Sequence, residues 1–297
     1  MQQAVAIQNS VHGEHFHARR KERMGEPVWL LERRTAAIEA FEKQGFPTRK
    51  QEAWRNLDLT PVARGEFPPV SLVGEAAGLA ETIKQRVPDA YRLVFVDGRF
   101  SEAHSALDDL PAGVTLLPIS AALAGDDSVP AAHLARLAAV EEHPFAALHP
   151  ALFEDGALLH VGRGIVLERP VVVAYLASAE AAGRAIYPRT LVVAEEGAEV
   201  RIAELHQGGE GVYLNCPVTE IVAAANAGVQ HHIVQESGRQ AYHLGVVSGE
   251  AARDARLSVH SFAIGGKVAR TDLYGDLAAT GAQLELDGLY LVSDGQY

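Results

Sequence analysis

The pattern of apolar and polar positions changes character twice along the 297 residues. From Pro27 to Lys43, Trp29, Leu30, Arg33, Ala37, Ile38 and Phe41 recur close to a 3.6-residue period, which predicts an amphipathic helix stopped by Gly45 and Pro47. Helical spacing returns over Leu79–Arg86 and Ala131–Glu142, and Tyr91-Arg92-Leu93-Val94-Phe95-Val96 predicts a strand closed by the turn Asp97-Gly98. Beyond about residue 150 the period falls to two and the pattern repeats. A Gly or Asp opens a run of alternating apolar positions at Gly156, Gly197, Gly228, Asp254 and Gly281, spaced 41, 31, 26 and 27 residues apart. Each run follows another β-rich stretch, such as Thr190-Leu191-Val192-Val193 or Thr219-Glu220-Ile221-Val222.

Strand, glycine turn, strand and variable loop at this period describe a β-solenoid, in which each rung stacks on the previous one and apolar positions fill the interior. A β-sandwich would call for hairpin turns such as Asn-Gly between adjacent strands, and none occurs here. The fold expected is therefore mainly β, a parallel β-helix over 151–297 preceded by a small α/β N-terminal domain over 27–150. Residues 1–26 read as a disordered or frayed arm. His12, His15 and His17 in that arm have metal-ligand spacing, but nothing near them in sequence would fix their geometry.

Composition narrows the function. Apolar residues make up 48% of the chain and aromatics 6%, an aliphatic core that suits stacked strands. With 26 basic and 38 acidic side chains the net charge is −12, which argues against a nucleic-acid partner. The longest apolar run, Val171–Ala177, is too short to cross a bilayer, and Met1-Gln2-Gln3-Ala4-Val5 starts no basic-then-apolar leader, so a cytoplasmic protein without a membrane partner is expected. The single cysteine, Cys216, excludes an intrachain disulfide and any multi-cysteine metal framework.

Candidate chemistry is sparse. Cys216, beside Pro217 at the start of a rung, could as a thiolate ligate iron or sulfide, or be an inert small hydrophobe. His231 and His232 are adjacent and so face opposite sides of a strand. His231 aligns with the interior positions Val200, Leu257 and Leu284, which makes it either a weak metal-ligand candidate or a buried histidine bonded to a neighbouring rung. His206, His243 and His260 read as loop or outer-strand residues that no sequence rule unites. Asp272, Asp276, Glu285 and Asp287 lie on neighbouring stretches and admit an alternative, a carbohydrate-active or carbohydrate-binding β-helix with clustered carboxylates. No Gly-x-x-x-x-Gly-Lys-(Ser/Thr) occurs, and Gly162-Arg163-Gly164 lacks the third glycine of a dinucleotide fingerprint.

Two stretches carry a family resemblance. The segment from Ala36 to Leu57, with Gly45-Phe46-Pro47-Thr48 running into Lys50-Gln51-Glu52-Ala53-Trp54-Arg55, resembles the entry segment of SufB/SufD-type proteins of the Suf iron–sulfur cluster assembly machinery. Arg270-Thr271-Asp272-Leu273, then Gly288-Leu289-Tyr290 and Gly295-Gln296, is similar to the late β-helix rungs of the same family. The short N-terminal region and scarcity of cysteine point to the SufD type. The resemblance implies a non-catalytic scaffold subunit, acting with a homologous scaffold subunit and a partner ABC-type ATPase. The iron–sulfur cluster would be assembled transiently at that complex and not held by this chain alone. The family's Cys/His-bearing segment and ATPase-docking helical domain match no residue here, so no catalytic or cofactor-binding residue is carried over. The chain is accordingly expected to be C-terminally truncated, or capped at its open β-helix end by a partner or, as a homodimer, by a second copy.

Overall fold

The computed structural model describes residues 11–297 apart from 20, 21, 65, 66, 126, 127, 139, 142 and 294, and apart from the side chains of 22 and 24. Residues 1–10 of the expected arm lie outside the described residues. Within the arm's described part, helix α1 (Val11–Ala18) is not frayed: it buries His12 and Phe16 against the N-terminal core, where the His12 ring meets Phe41 and Phe46 edge-on. Helix α2 (Val28–Gln44) follows the predicted period, and Gly45, at φ 66°, donates its N–H to the Phe41 carbonyl 2.7 Å away to end it. Short helix α3 (Thr60–Arg64) and helix α4 (Ala77–Arg86) lead into strand β1 (Tyr91–Val96), with β2 (Arg99–Phe100) and β3 (Val114–Pro118) beyond it.

Helices α5 (Ile119–Ala124), α6 (Val129–His133) and α7 (Pro144–Leu152) come next. The helix expected over 131–142 is thus cut short at His133. Ala135 stands in the left-handed region at φ 58°, because the Glu220 carboxylate draws in the backbone N–H groups of Ala135, Leu137 and Ala138 at 2.7, 2.7 and 3.0 Å. Periodicity gave no sign of α7, since all nine of its residues are buried. Its local signal is an N-terminal one: His143 caps through Nδ1, which accepts from the Ala146 N–H at 3.3 Å, and Pro144 occupies the first turn.

From Gly156 the chain is a parallel β-solenoid of five rungs. Strands β4 (Gly156–Val161) and β5 (Val171–Ala177) make the first. The second comprises β6 (Ala185–Ile186), β7 (Arg189–Ala194) and β8 (Glu199–Gly208), and the third β9 (Leu214–Asn215), β10 (Val218–Ala223) and β11 (Gly228–Glu236). The fourth has β12 (Tyr242–Ala251) and β13 (Arg256–Ala263), the fifth β14 (Val268–Leu277) and β15 (Gln283–Tyr290). One sheet runs β4-β7-β10-β12-β14 and the other β5-β8-β11-β13-β15, every pair parallel. Prolines 188 and 217 interrupt the first sheet between β6 and β7 and between β9 and β10, as a residue without an N–H must.

The turn between the two sheets is a ladder of left-handed residues: Gly164, Gly197, Asn226, Asp254 and Gly281 all have φ between 57° and 77°. Each of the first four donates its N–H to a carbonyl in the turn above, from Gly164 to Glu196 through Asp254 to Thr280. These residues are 33, 29, 28 and 27 apart, a more even period than the sequence pattern proposed. Gly156 and Gly228, two of the positions expected to open rungs, are not turn residues. Gly156 begins a strand where an added Cβ would lie 2.1 Å from the Arg189 carbonyl oxygen, and Gly228 lies two residues past the turn at Asn226.

The expected boundary near residue 150 does not separate two bodies. Strand β1 pairs with β5 in parallel, Tyr91 against Val171 through Val96 against Leu176, and β3 pairs antiparallel with β4. Helix α4 covers the outer face of the second sheet through Ile83, Val94, Val172 and Leu205, while α2 and α7 cover the outer face of the first. There Arg34, fully buried, is bracketed by Glu26 at 2.8 Å and the carbonyls of Pro150 and Phe153 at 2.8 and 3.0 Å.

Candidate functional site

The solenoid interior is aliphatic except for one polar band. Facing inward from the second sheet are Tyr175, Glu204, His206 and His231; from the first come Thr190, Thr219, Asn215 and His243, all buried. Glu204 is the hub. Its Oε1 is 2.8 Å from His206 Nε2, and its Oε2 is 3.1 Å from His231 Nε2 and accepts from Thr219 Oγ1 at 2.8 Å. Asn215 Nδ2 reaches His206 Nδ1 at 3.4 Å and His243 Nδ1 at 3.1 Å. A donating Asn215 amide therefore fixes His206 with its proton on Nε2, directed at Glu204. The rings of Phe95, Tyr175 and His206 stack along three successive strands at 5.1 and 5.3 Å, with His243 edge-on to His206 at 5.0 Å.

Burial alone would raise the Glu204 carboxyl, but the hydrogen bonds from His206 and His231 hold it below its ordinary range. Burial pushes His243 the other way, well below the usual imidazole value, with His206 adding to the effect. A space beside the band, between Tyr175, Gln207, Tyr213 and Asn215, measures about 10 Å³. That is no room for a substrate, so the band's chemistry is internal: an ionised carboxylate and its imidazoles tie the two sheets together across the core.

His231 is where the sequence placed it, inside and bonded to a neighbouring rung. It sits opposite Ile202 and Val259, however, two residues from the alignment with Val200 and Leu257. A two-residue slip preserves the face, so the conclusion survived the wrong register. His206 and His243 depart from expectation, being core residues and not loop or outer-strand ones. The signal that could have found them is parity: both lie an even number of residues from an interior neighbour, Glu204 to His206 and His243 to Val247.

Cys216 is 1% exposed among Tyr187, Leu214, Tyr242 and Leu244, in the cluster shared with the N-terminal helices. Burial pushes its thiol well above the usual value, so it is held protonated. At neutral pH a thiol reagent is expected to leave Cys216 unmodified in the native protein and to label it fully in denaturant; rapid native labelling would show an open path to the sulfur. Among the described residues, no group of three or more His, Cys, Asp or Glu side chains is placed to hold a metal ion.

The four acidic residues of the carbohydrate reading do not converge. Asp272 and Asp276 are on β14 in one sheet, Glu285 and Asp287 on β15 in the other. Asp272 is also engaged, by Arg270 at 2.7 and 2.8 Å and by His143 Nε2 at 2.8 Å. This junction unites the two stretches singled out in the sequence: the Arg270 guanidinium lies 3.8 Å over the Trp54 ring and donates to the Ala53 carbonyl at 2.5 Å.

Among the described residues, β14 and β15 of the fifth rung pair with a strand on one side only, and the open edge of β14 is met at Ala269 by the Tyr297 carbonyl at 2.8 Å. Tyr274, Leu277, Leu289 and Tyr290 are exposed there, beside a groove of about 480 Å³ lined by Thr271, Leu273 and Tyr297. No helix among the described residues is long and apolar enough to cross a membrane.

Comparison with known proteins adds a family. Residues 15–173 match the SufBD protein N-terminal region, and residues 175–297 match the SufBD core domain of SUF-system FeS cluster assembly. The chain is 25% identical over 255 residues to an iron–sulfur cluster assembly SufBD family protein of Synechocystis sp., covering 82% of this chain and 56% of that protein. It is 26% identical over 256 residues to the iron–sulfur cluster assembly protein SufD of Escherichia coli, covering 85% and 57% respectively. Similarity to SufB of Bacillus subtilis is 24% over 190 residues, 60% of this chain and 40% of that protein. The chain thus spans little more than half the length of the curated relatives it matches.

Proposed function

Because this chain belongs to the SufBD family, we propose that it serves iron–sulfur cluster assembly as a non-catalytic scaffold subunit of the SufD type. On this reading it acts in the cytoplasm with a homologous scaffold subunit and a partner ABC-type ATPase, and the cluster is cargo, built on the complex and passed on. The observation that carries the proposal is the match of both family regions over nearly the whole chain, 15–173 and 175–297. The architecture supports it: a rigid solenoid with a closed core, a helical face locked onto one sheet, and an apolar last rung suited to a protein neighbour.

The test is an anaerobic pull-down of the natural full-length product from its source cells, with iron and acid-labile sulfide assayed on the recovered material. Recovery of a second β-helix subunit and an ATPase, with cluster forming on the assembly, is the expected result. Recovery of neither partner, with no iron, would overturn the assignment to this machinery.

A further inference from the structure

The outer face of the second sheet carries two histidines in lateral register. His232 on β11 pairs with His260 on β13, and His260 with Asp287 on β15. The imidazole rings lie face to face, centroids 4.9 Å apart and 15° from parallel, and both side chains are partly open to solvent. Asp287 Oδ2 stands 3.2 Å from His260 Nδ1. A carboxylate behind Nδ1 keeps the proton there and turns the Nε2 lone pair outward, the arrangement that orients metal-ligating histidines. On the neighbouring strand the same row holds Ala203, which leaves the approach to His232 free of a bulky side chain. The row two residues along is Arg201, Gln230, Ser258 and Glu285, and Arg201 is occupied by the Glu168 carbonyl at 2.6 Å. Burial, then His260 and His231, lower the proton affinity of His232 and favour its neutral, ligating form.

We propose that His232 and His260 form a two-histidine surface site for a divalent first-row transition metal, with Asp287 as the positioning residue of His260. The ion is bound through one nitrogen of each ring, and water completes its coordination. Metal–nitrogen bonds of about 2.0–2.1 Å require the two nitrogens to stand about 3 Å apart. Strands about 4.8 Å apart bring the two imidazoles within reach of one ion, the His232 ring turning toward it while His260 stays on Asp287. Paired imidazoles select Cu²⁺, Ni²⁺, Zn²⁺ or Fe²⁺ over Mg²⁺ and Ca²⁺, which take oxygen ligands. The site is independent of the interior band, from which the sheet itself separates it, and does not rest on the scaffold reading.

The test titrates Cu²⁺ and Zn²⁺ into the full chain, stripped of metal, and into H232Q, H260Q and D287N. Thermal unfolding monitored by circular dichroism establishes that each variant is folded, with H232N and H260N as replacements for any that is not. The expected result is one tight equivalent in the wild type, with Cu²⁺ showing coupling to two nitrogens in its paramagnetic resonance spectrum. Either histidine substitution should weaken binding about a hundredfold, and D287N about tenfold with the nitrogen count unchanged. Absence of stoichiometric binding in the wild type would overturn the proposal. So would binding that survives both histidine substitutions, which would place the ion elsewhere, for example on the histidines of the first helix.

Discussion

Replacing Glu220 with alanine should lower the unfolding free energy by about 3–5 kcal/mol. The carboxylate is fully buried and pairs with the equally buried Arg189 guanidinium on the outer face of the first sheet. Its oxygens also accept the N–H groups of Ala135, Leu137 and Ala138. Alanine would strand a cation whose Nε and Nη1 already lack partners, and orphan three amides at once. It would also release the left-handed turn at Ala135, so the segment between α6 and α7 should loosen from the sheet. Urea unfolding at neutral pH measures the loss; a shift under about 1 kcal/mol would mean that the clamp contributes little. The double substitution R189M/E220L should recover only the share due to the stranded guanidinium, since an apolar pair leaves no buried charge unmatched but still gives the three amides no acceptor.

Glu204→Gln is the second large effect, about 3 kcal/mol at neutral pH. A glutamine can accept from one imidazole N–H but presents its amide nitrogen to the other, so one of His206 and His231 loses its acceptor. The pH dependence has a definite sign. In the fold the Glu204 carboxyl lies below its ordinary value of 4.5. Its contribution is therefore complete above the unfolded-state value and is lost as pH falls below about 4.5 toward the depressed native value. Urea midpoints between about pH 3 and 7 should decline toward acid more steeply in the wild type than in E204Q. Parallel curves for the two proteins would refute the assignment of an ionised carboxylate to the core.

The rungs were legible because a half-buried strand writes its burial directly into alternate positions, and because a left-handed turn admits few residues besides Gly, Asn and Asp. Not every glycine that opens an alternating run is such a turn: Gly156 is small for close approach to Arg189, not for its φ. Helix α7 was hidden because a segment buried on all sides has no polar face to set a period. The break after His133 was hidden because its cause, Glu220, lies more than 80 residues away. The interior band was half legible. His231 was placed by parity, but its union with Glu204, His206 and His243 depends on the pairing of β8 with β11 and on the facing sheet, and pairing is what local pattern does not encode. The contact of Trp54 with Arg270 was beyond reach for the same reason, although both residues had been singled out separately.

The pairing of β1 with β5 also places a constraint in time. At about 5–20 residues per second, several seconds of synthesis separate Val96 from Val171. Until Val171 to Leu176 emerge, the apolar strand Tyr91–Val96 has no parallel neighbour, and α4 has no complete sheet to cover. The N-terminal third of the chain must therefore wait on the ribosome with its hydrophobic surface unsatisfied. Folding can then begin at the first rung and proceed toward the fifth, each new coil templated by the one before it. A ribosome stalled before Val171 would leave a nascent chain dependent on chaperones, and one stalled far enough past Ala177 for that residue to have left the exit tunnel a chain able to seal its own first seam.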